Sequence, residues 1–582
     1  MNPKALHHLG HAGLIGLVCT LVVLVGCGGP SYPTVVFPTP GAVLSNPVRL
    51  ETQESVTWTI DGQTVGSGRS WRGNLSTGLH TVVALSDVAG TEFSITVRDA
   101  FPKNAVRSVR AADLPDRTLT LSEGRYWMVL GNPGAQKRSW DSGQVKTAIA
   151  TSQNPAMPNH ENWSTTSDAT SGTILDTTSS LTSGHTALLE QFSSRTKTLL
   201  RAGVKPLSTE TGFRAQSLEV PDLGTARSFQ VLNLSGSGSQ SVMSTLHYVG
   251  NHVLAYVEDG LEPVTLELIR GIAAGFDSRI YDLDVGVFGP VADVDNNGRV
   301  TLLFTPKLNE SKQAIGFFYP GDMLQRTQDN PDSNQADILY LGVPAAGNAN
   351  FSVSSLEATS CHEFQHLIHF SRKTLPHLSD AQPIEEDVSI NEGLSHLAED
   401  LCGYNLKGGN LAFVAKFLEH PERVSLDGLS LDGRGDSIER RGAMYLFTRF
   451  LYERYGSAFI SRLIASPGSG LENIAAVLNQ PLDALMWRWW WSLSLKSGVR
   501  VGQVQGFNRV TTNAVTGDVL GVNLWAGSLE VIPGFNIDLK GPTALSDWPN
   551  ALAARGVAFR QVTGPLTIKL PVGAEVGVLR LP

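Results

Sequence analysis

The stretch His362-Glu363-Phe364-Gln365-His366, with Asn391-Glu392-Gly393 beginning twenty-five residues after it, decides how the central part of this chain is read. Residues four apart on a helix share one face, so His362 and His366 can aim two imidazoles at a single cation. Glu363 projects beside the pair, where it can take a proton from a metal-bound water instead of binding the metal itself. Ser354 with Glu357 has the spacing of a capping box, and Leu356, Phe364, Leu367 and Ile368 form an apolar stripe, so the motif is expected on a helix. A second helix is expected over Ser389 to Asp400, with Ile390, Leu394, Leu397 and Leu401 at helical spacing and Glu392 off that stripe beside Ser395, His396 and Glu399. Two His and one Glu are the ligand set of a catalytic Zn2+ site that keeps a fourth position for water.

Competing roles exist for several of these residues. An HExxH run can arise by chance on an amphipathic helix, and Ser389-x-x-Glu392 also fits a capping box. His369 shares the face of His366 but lies a turn further along the axis, which suits a cleft wall better than a ligand. His377 and His396 read as surface or partner-bonded histidines, and Cys361 points to another helical face. With the set His362, His366 and Glu392, the metal centre keeps a net positive charge, lowers the pKa of its water to about 7 and polarises a carbonyl. Glu363 would then serve as base and afterwards as acid toward the leaving amine.

The segments HEFQHLIHF, NEGLSHLAEDLCGY and GAMYLFTRFLYERYG together resemble the hyicolysin-type zinc metallopeptidases of the Glu-zincin clan, over roughly residues 239–497. Asp293-Val294-Asp295-Asn296-Asn297-Gly298 and Ile338-Leu339-Tyr340-Leu341 echo further segments of that family. The resemblance implies a thermolysin-like α+β catalytic domain and a zinc endopeptidase with His362, His366 and Glu392 as metal ligands and Glu363 as catalytic base. Two positions depart from the family pattern. Many relatives place Asp four residues after the ligand Glu, where this chain has His396, so Glu399 is expected to orient a metal-bound imidazole instead. Relatives also tend to carry Tyr before the Gly of the later helix, where this chain has Arg441; Tyr445, or Arg441 itself, would have to stabilise the oxyanion, and Tyr445 is the catalytic candidate. The strand expected over Gln335 to Gly342 would form the sheet edge to which an extended peptide adds, unless it is a buried structural strand. The lack of a GxMEN-like run points to an endopeptidase over an aminopeptidase.

Asp293-x-Asp295-x-Asn297-Gly298 matches the first half of an EF-hand loop, but position twelve is Phe304, so a Ca2+ ion there would need a remote carboxylate; an ion-free polar turn is the competing reading. At the amino terminus, Lys4 precedes an apolar run from Leu14 to Val25, too short to span comfortably at about 20 residues and expected as a signal peptide. Leu24-Val25-Gly26-Cys27 resembles a bacterial lipoprotein box, which implies lipidation of Cys27 and a protein tethered to the outer membrane or cell surface, facing outside the cytoplasm. Cys361 and Cys402 flank the two motif helices and could pair or stay as buried thiols. With 45 Lys and Arg against 54 Asp and Glu, the formal charge of −9 carries no basic stripe and argues against nucleic acid.

The expected organisation is a multidomain α+β chain: residues 1–26 a lipoprotein signal peptide, 27–99 an immunoglobulin-like β-sandwich around a buried Trp, 100–185 a β-rich region with a Ser/Thr-rich linker, 186–498 the metallopeptidase domain and 499–582 a C-terminal β domain. The run Met486-Trp487-Arg488-Trp489-Trp490-Trp491 is expected as helical core. A monomer acting on protein or peptide substrates is expected. The alternatives are an inactive adhesive surface lipoprotein on a metallopeptidase-like scaffold, or an aminopeptidase.

Overall fold

The structure is a computed structural model describing residues 32–98, 101–140, 147–148, 169–207, 220–378, 380, 383–532 and 535–581. The expected signal peptide and Cys27 lie outside the described residues. Among the described residues no helix is long and apolar enough to cross a membrane. The chain is a mixed α+β, multidomain protein with a sheet-rich N-terminal region and a C-terminal β region, and it divides into two units at residue 100.

The first unit is a six-stranded sheet, largely antiparallel. Its strands Val48–Ile60 and Gln63–Gly73 meet at Asp61-Gly62. Both turn residues have positive φ, 50° and 80°, the twist that a two-residue hairpin requires. Trp58, Leu50, Val82 and Ile95 alternate with exposed neighbours and fill its core.

The second unit opens with strands β1 (Val106–Arg110) and β2 (Thr118–Gly131) and helix α1 (Ala169–Arg201). A central sheet follows, made of β3 (Ala226–Leu232), β4 (Ser239–Val249), β5 (Val253–Glu258), β6 (Val300–Phe304), β7 (Gly316–Phe318) and β8 (Ile338–Leu341). Then come helices α2 (Val353–His369), α3 (Val388–Leu401), α4 (Asn410–Glu419), α5 (Ile438–Ala465) and α6 (Leu482–Ser494), and the strands β9 (Val557–Lys569) and β10 (Glu575–Arg580).

The central sheet has the order β3-β4-β5-β6-β8-β7, with β5, β6 and β8 parallel. Parallel strands need both faces covered, which is why β6 and β8 are largely apolar, Thr301 apart, and are buried throughout. The edge is therefore β7 and not the Ile338–Leu341 strand: β8 is held between β6 and β7, and β7 pairs with it antiparallel. Helix α2 crosses close to β7. A Cβ on Gly316 would come within 2.7 Å of Thr359 Cγ2 and 2.8 Å of the Tyr340 carbonyl oxygen, so only glycine allows that approach.

Two expected boundaries do not hold. The C-terminal strands are not a domain of their own: β2 pairs antiparallel with both β9 and β10, and β10 with β1, so strands from either side of the helices close one sheet. Helix α6 fastens that sheet, because Trp490 lies against Gly131 of β2 and Trp491 against Gly577 of β10. The tryptophan run is buried core at Trp489, Trp490 and Trp491. The Ser/Thr-rich stretch expected as linker is helical from Ala169, and the boundary drawn after residue 185 cuts through α1.

A Cβ on Gly131 would meet the Trp490 ring at 2.0 Å. Gly131→Ala is therefore expected to cost about 1–3 kcal/mol through overpacking, read from chemical denaturation, whereas alanine at the open Gly271 should be tolerated.

Candidate metal centre

Both motif helices start from caps that the sequence placed differently. Ser352, not Ser354, caps α2 by accepting from the Ser355 amide, and Asp387 caps α3 by accepting from Ser389 at 2.9 Å. Ser389 thus lies inside α3, and Glu392 does not close a capping box with it; its carboxylate turns toward α2. His362 Nε2 is 3.6 Å from Glu392 Oε2, and His366 Nε2 is 3.3 Å from Glu392 Oε1. Tetrahedral zinc with bonds of about 2.0–2.1 Å separates its donors by about 3.4 Å. The three donors are therefore at the spacing of one coordination shell. His362 Nε2 and Glu392 Oε1 are also buried without a hydrogen-bond partner, an arrangement that costs free energy unless a cation receives their lone pairs. The residues fit a divalent metal.

Neighbouring groups hold the ring orientations. Glu399 Oε1 lies 2.7 Å from His362 Nδ1 and 3.1 Å from His396 Nδ1, leaving Nε2 of His362 to face the centre. Ser395 Oγ is 3.2 Å from His366 Nδ1 and donates to Gln365. Burial, exceeding the pull of Glu399, drives the His362 pKa down to about 4, so the ring is the neutral imidazole that a metal requires. Glu392 is buried, which by itself raises its pKa, but Arg441, His366 and His185 together outweigh burial and hold the carboxylate well below the usual range. Arg441 Nη1 donates to Glu392 Oε2 at 2.6 Å.

Glu363 Oε2 accepts from the Phe318 amide of β7 at 3.1 Å, so the edge strand fixes the candidate base. Its other oxygen meets a residue that the sequence reading missed. His185, on α1, places Nε2 3.2 Å from Glu363 Oε1 and Nδ1 3.8 Å from Glu392 Oε1, and with His362, His366 and Glu392 it forms one buried cluster. Burial alone would raise the Glu363 pKa, but His185 close beside it, with the His362 and His366 rings, prevails and holds it at about 2. His185 in turn is raised above its ordinary value, the carboxylates of Glu363 and Glu392 overcoming burial. A single histidine at the end of a Ser/Thr-rich stretch carries no spacing motif. The only signal for it was Leu188, Leu189, Phe192 and Leu199 at helical spacing downstream.

Tyr445 does not join the cluster. Its hydroxyl is fully buried and donates to Asp400 at 2.8 Å, which itself holds Arg449 at 2.7 Å. His369 faces Glu386 at 3.6 Å and lines a cavity, and His377 pairs with Asp380 on the surface. Cys361 and Cys402 are buried free thiols.

The Asp293 loop gathers Asp293, Asp295 and Asp337 within 4.8 Å, but its own amides already serve it: Asn297 and Gly298 both donate to Asp293 at 3.0 Å. Burial, then the charge of Asp293, raise the Asp295 pKa to about 6. A folded-state pKa above the unfolded value penalises the native state fully above about pH 6, and the penalty vanishes as pH falls to 3.8. In EDTA, Asp295→Asn is expected to stabilise the protein by about 1–2 kcal/mol at pH 8, after allowance for solvent screening, with the gain shrinking to nothing near pH 3.8 in thermal melts.

A cavity of about 380 Å³ adjoins the cluster, lined by Ala314, Ile315, Ala412 and Phe413 together with His362 and Glu363. No family model matches the chain. The chain is 21% identical over 394 residues to the neutral metalloprotease ShpI of Staphylococcus hyicus, covering 65% of this chain and 81% of that protein. A distant homologue of this chain is thus a neutral metalloprotease, and the chain has a buried His and Glu cluster that could hold a metal ion.

Proposed function

We propose that the chain is a zinc-dependent endopeptidase, with His362, His366 and Glu392 holding the ion and Glu363 acting as general base. The observation that carries this reading is the convergence of three donors at coordination spacing, two of them without hydrogen-bond partners, beside a carboxylate that lies outside the ligand set. When bound, the metal would supply Lewis acidity toward a carbonyl and an acidified water. Glu363 takes the proton of the attacking water and delivers it to the departing amine, while the Phe318 amide keeps its carboxylate in place. Glu399 orients His362, and Arg441 keeps Glu392 ionised.

The substrate is an extended polypeptide. The short strand β7 is the sheet edge beside the centre, and main-chain pairing along such an edge gives little side-chain selectivity. The apolar cavity favours an apolar residue beside the scissile bond. Calcium has no part in this reading. We extend the proposal to location: the Leu24-Val25-Gly26-Cys27 run supports an anchor on Cys27 and a monomer outside the cytoplasm, with an immunoglobulin-like first unit as spacer and a thermolysin-like, Glu-zincin catalytic region.

The test joins metal analysis with hydrolysis. Purified chain lacking residues 1–27 is expected to carry one zinc per molecule, to lose it in Glu392→Ala, and to cleave an unfolded protein internally only when metal-loaded. Cleavage confined to substrates with a free amino terminus would replace endopeptidase by aminopeptidase. A chain with no stoichiometric metal and no hydrolysis overturns the reading.

A further inference from the structure

The cluster contains one donor more than an open catalytic site uses. His185 reaches it from α1, far upstream of both motif helices, and its ring centroid lies 5.3 Å from that of His362 and 5.8 Å from that of His366, against 4.9 Å between those two. The three imidazoles are thus nearly evenly spaced around one point. The His185 to Glu392 separation of 3.8 Å also approaches the edge of about 3.4 Å expected between tetrahedral donors. Its side chain is about nine-tenths buried.

The helix carrying His185 is seated along the edge strand. Phe192 packs on Phe317 of β7 at 5.6 Å and on Tyr319 at 5.1 Å. At Gly184 a Cβ would come within 2.5 Å of the Gln313 carbonyl oxygen, so the helix presses on the backbone leading into β7. Arg195 pairs with Asp332, and Lys197 and Ser193 both bind Glu385. The cavity beside His362 and Glu363 and a second one of about 170 Å³ beside His366 and His369 are both walled by α1, through His185 in the first and Leu189 and Phe192 in the second. An extended peptide crossing from one cavity to the other would need the space that α1 fills.

We infer that His185 is a fourth protein ligand of the metal and that α1 is an internal occupant of the substrate groove, so that the chain in this form is latent. The inference rests on the metallopeptidase reading for its consequence, but the coordination claim is separate from it. A closed shell of three imidazoles and one carboxylate leaves no position for water, as in structural zinc sites, whereas loss of His185 restores the open position of catalytic ones.

The experiment uses the full chain without residues 1–27, loaded with zinc or cobalt(II). X-ray absorption of the zinc form is expected to count three imidazoles, and the wild-type cobalt form should keep its visible spectrum when acetohydroxamate is added. In His185→Ala the spectrum should shift on adding acetohydroxamate, metal affinity in chelator competition should fall about 10–100-fold, and hydrolysis of an unfolded protein should rise at least about tenfold. Two imidazoles plus a water in the wild type, or an equal response of both proteins to acetohydroxamate, overturns the inference even if His185→Ala proves poorly folded, since the absorption measurement needs no variant. A fall in hydrolysis with unchanged coordination also overturns it and makes His185 a donor to the substrate. Closed coordination with no hydrolysis from either protein leaves the fourth ligand standing and removes the peptidase reading instead.

Discussion

Glu363→Gln, placed in the His185→Ala background where the water position is open, is expected to lower peptide hydrolysis by about 10²–10⁴-fold, the usual worth of a positioned general base. Metal content should not change, because Glu363 is outside the ligand set and its bonds run to the Phe318 amide and His185. The amide of glutamine can still accept from Phe318, so the edge strand should hold its place and the fold its stability. Comparing hydrolysis rate with zinc stoichiometry on the same preparation separates loss of the proton acceptor from loss of the ion. A variant that hydrolyses as fast as its parent would exclude Glu363 as the base.

Arg441→Met should have its largest effect on stability, and that effect should depend on metal. Arg441 and Glu392 are almost fully buried and 2.6 Å apart, so removing the guanidinium leaves an uncompensated carboxylate in the interior. Breaking such a pair from one side costs about 3–5 kcal/mol. In the chelated protein that whole loss is expected. In the zinc-loaded protein the ion supplies a compensating charge to Glu392, and the loss should be clearly smaller. Denaturation with and without chelator reads the difference; equal losses in the two states would mean that Glu392 does not face the metal.

The core of the centre was legible because it is written in spacing. His362 and His366 are one turn apart on one helical face, and Glu392, off the apolar stripe of Ile390, Leu394 and Leu397, supplied the third ligand that the pair lacked. His185 was not legible, since nothing local distinguishes it and only the docking of α1 against β7 brings it to the cluster. The place of the Ile338–Leu341 strand stayed open for a related reason: it looks like any apolar strand, and whether it lies inside or at the rim depends on the pairing of Gly316–Phe318, which the sequence between them does not encode locally. Tyr445 was chosen by position along α5, yet the buried Asp400 claims its hydroxyl. The two terminal β segments looked independent because the partners of β2 lie more than four hundred residues downstream, beyond the reach of any turn signal.

The pairing of β2 with β9 and β10 makes completion of that sheet wait until residues 557–580 have been made. Neither an early product nor a chain clipped before Val557 can complete that sheet, and the large loop to be closed makes this a late and slow event. Of the α6 rings, Trp491 gains its contact with Gly577 only when β10 is in place. The sheet is thus whole only after strands more than four hundred residues apart along the chain have met, a built-in delay between making its first strand and fixing that strand in place.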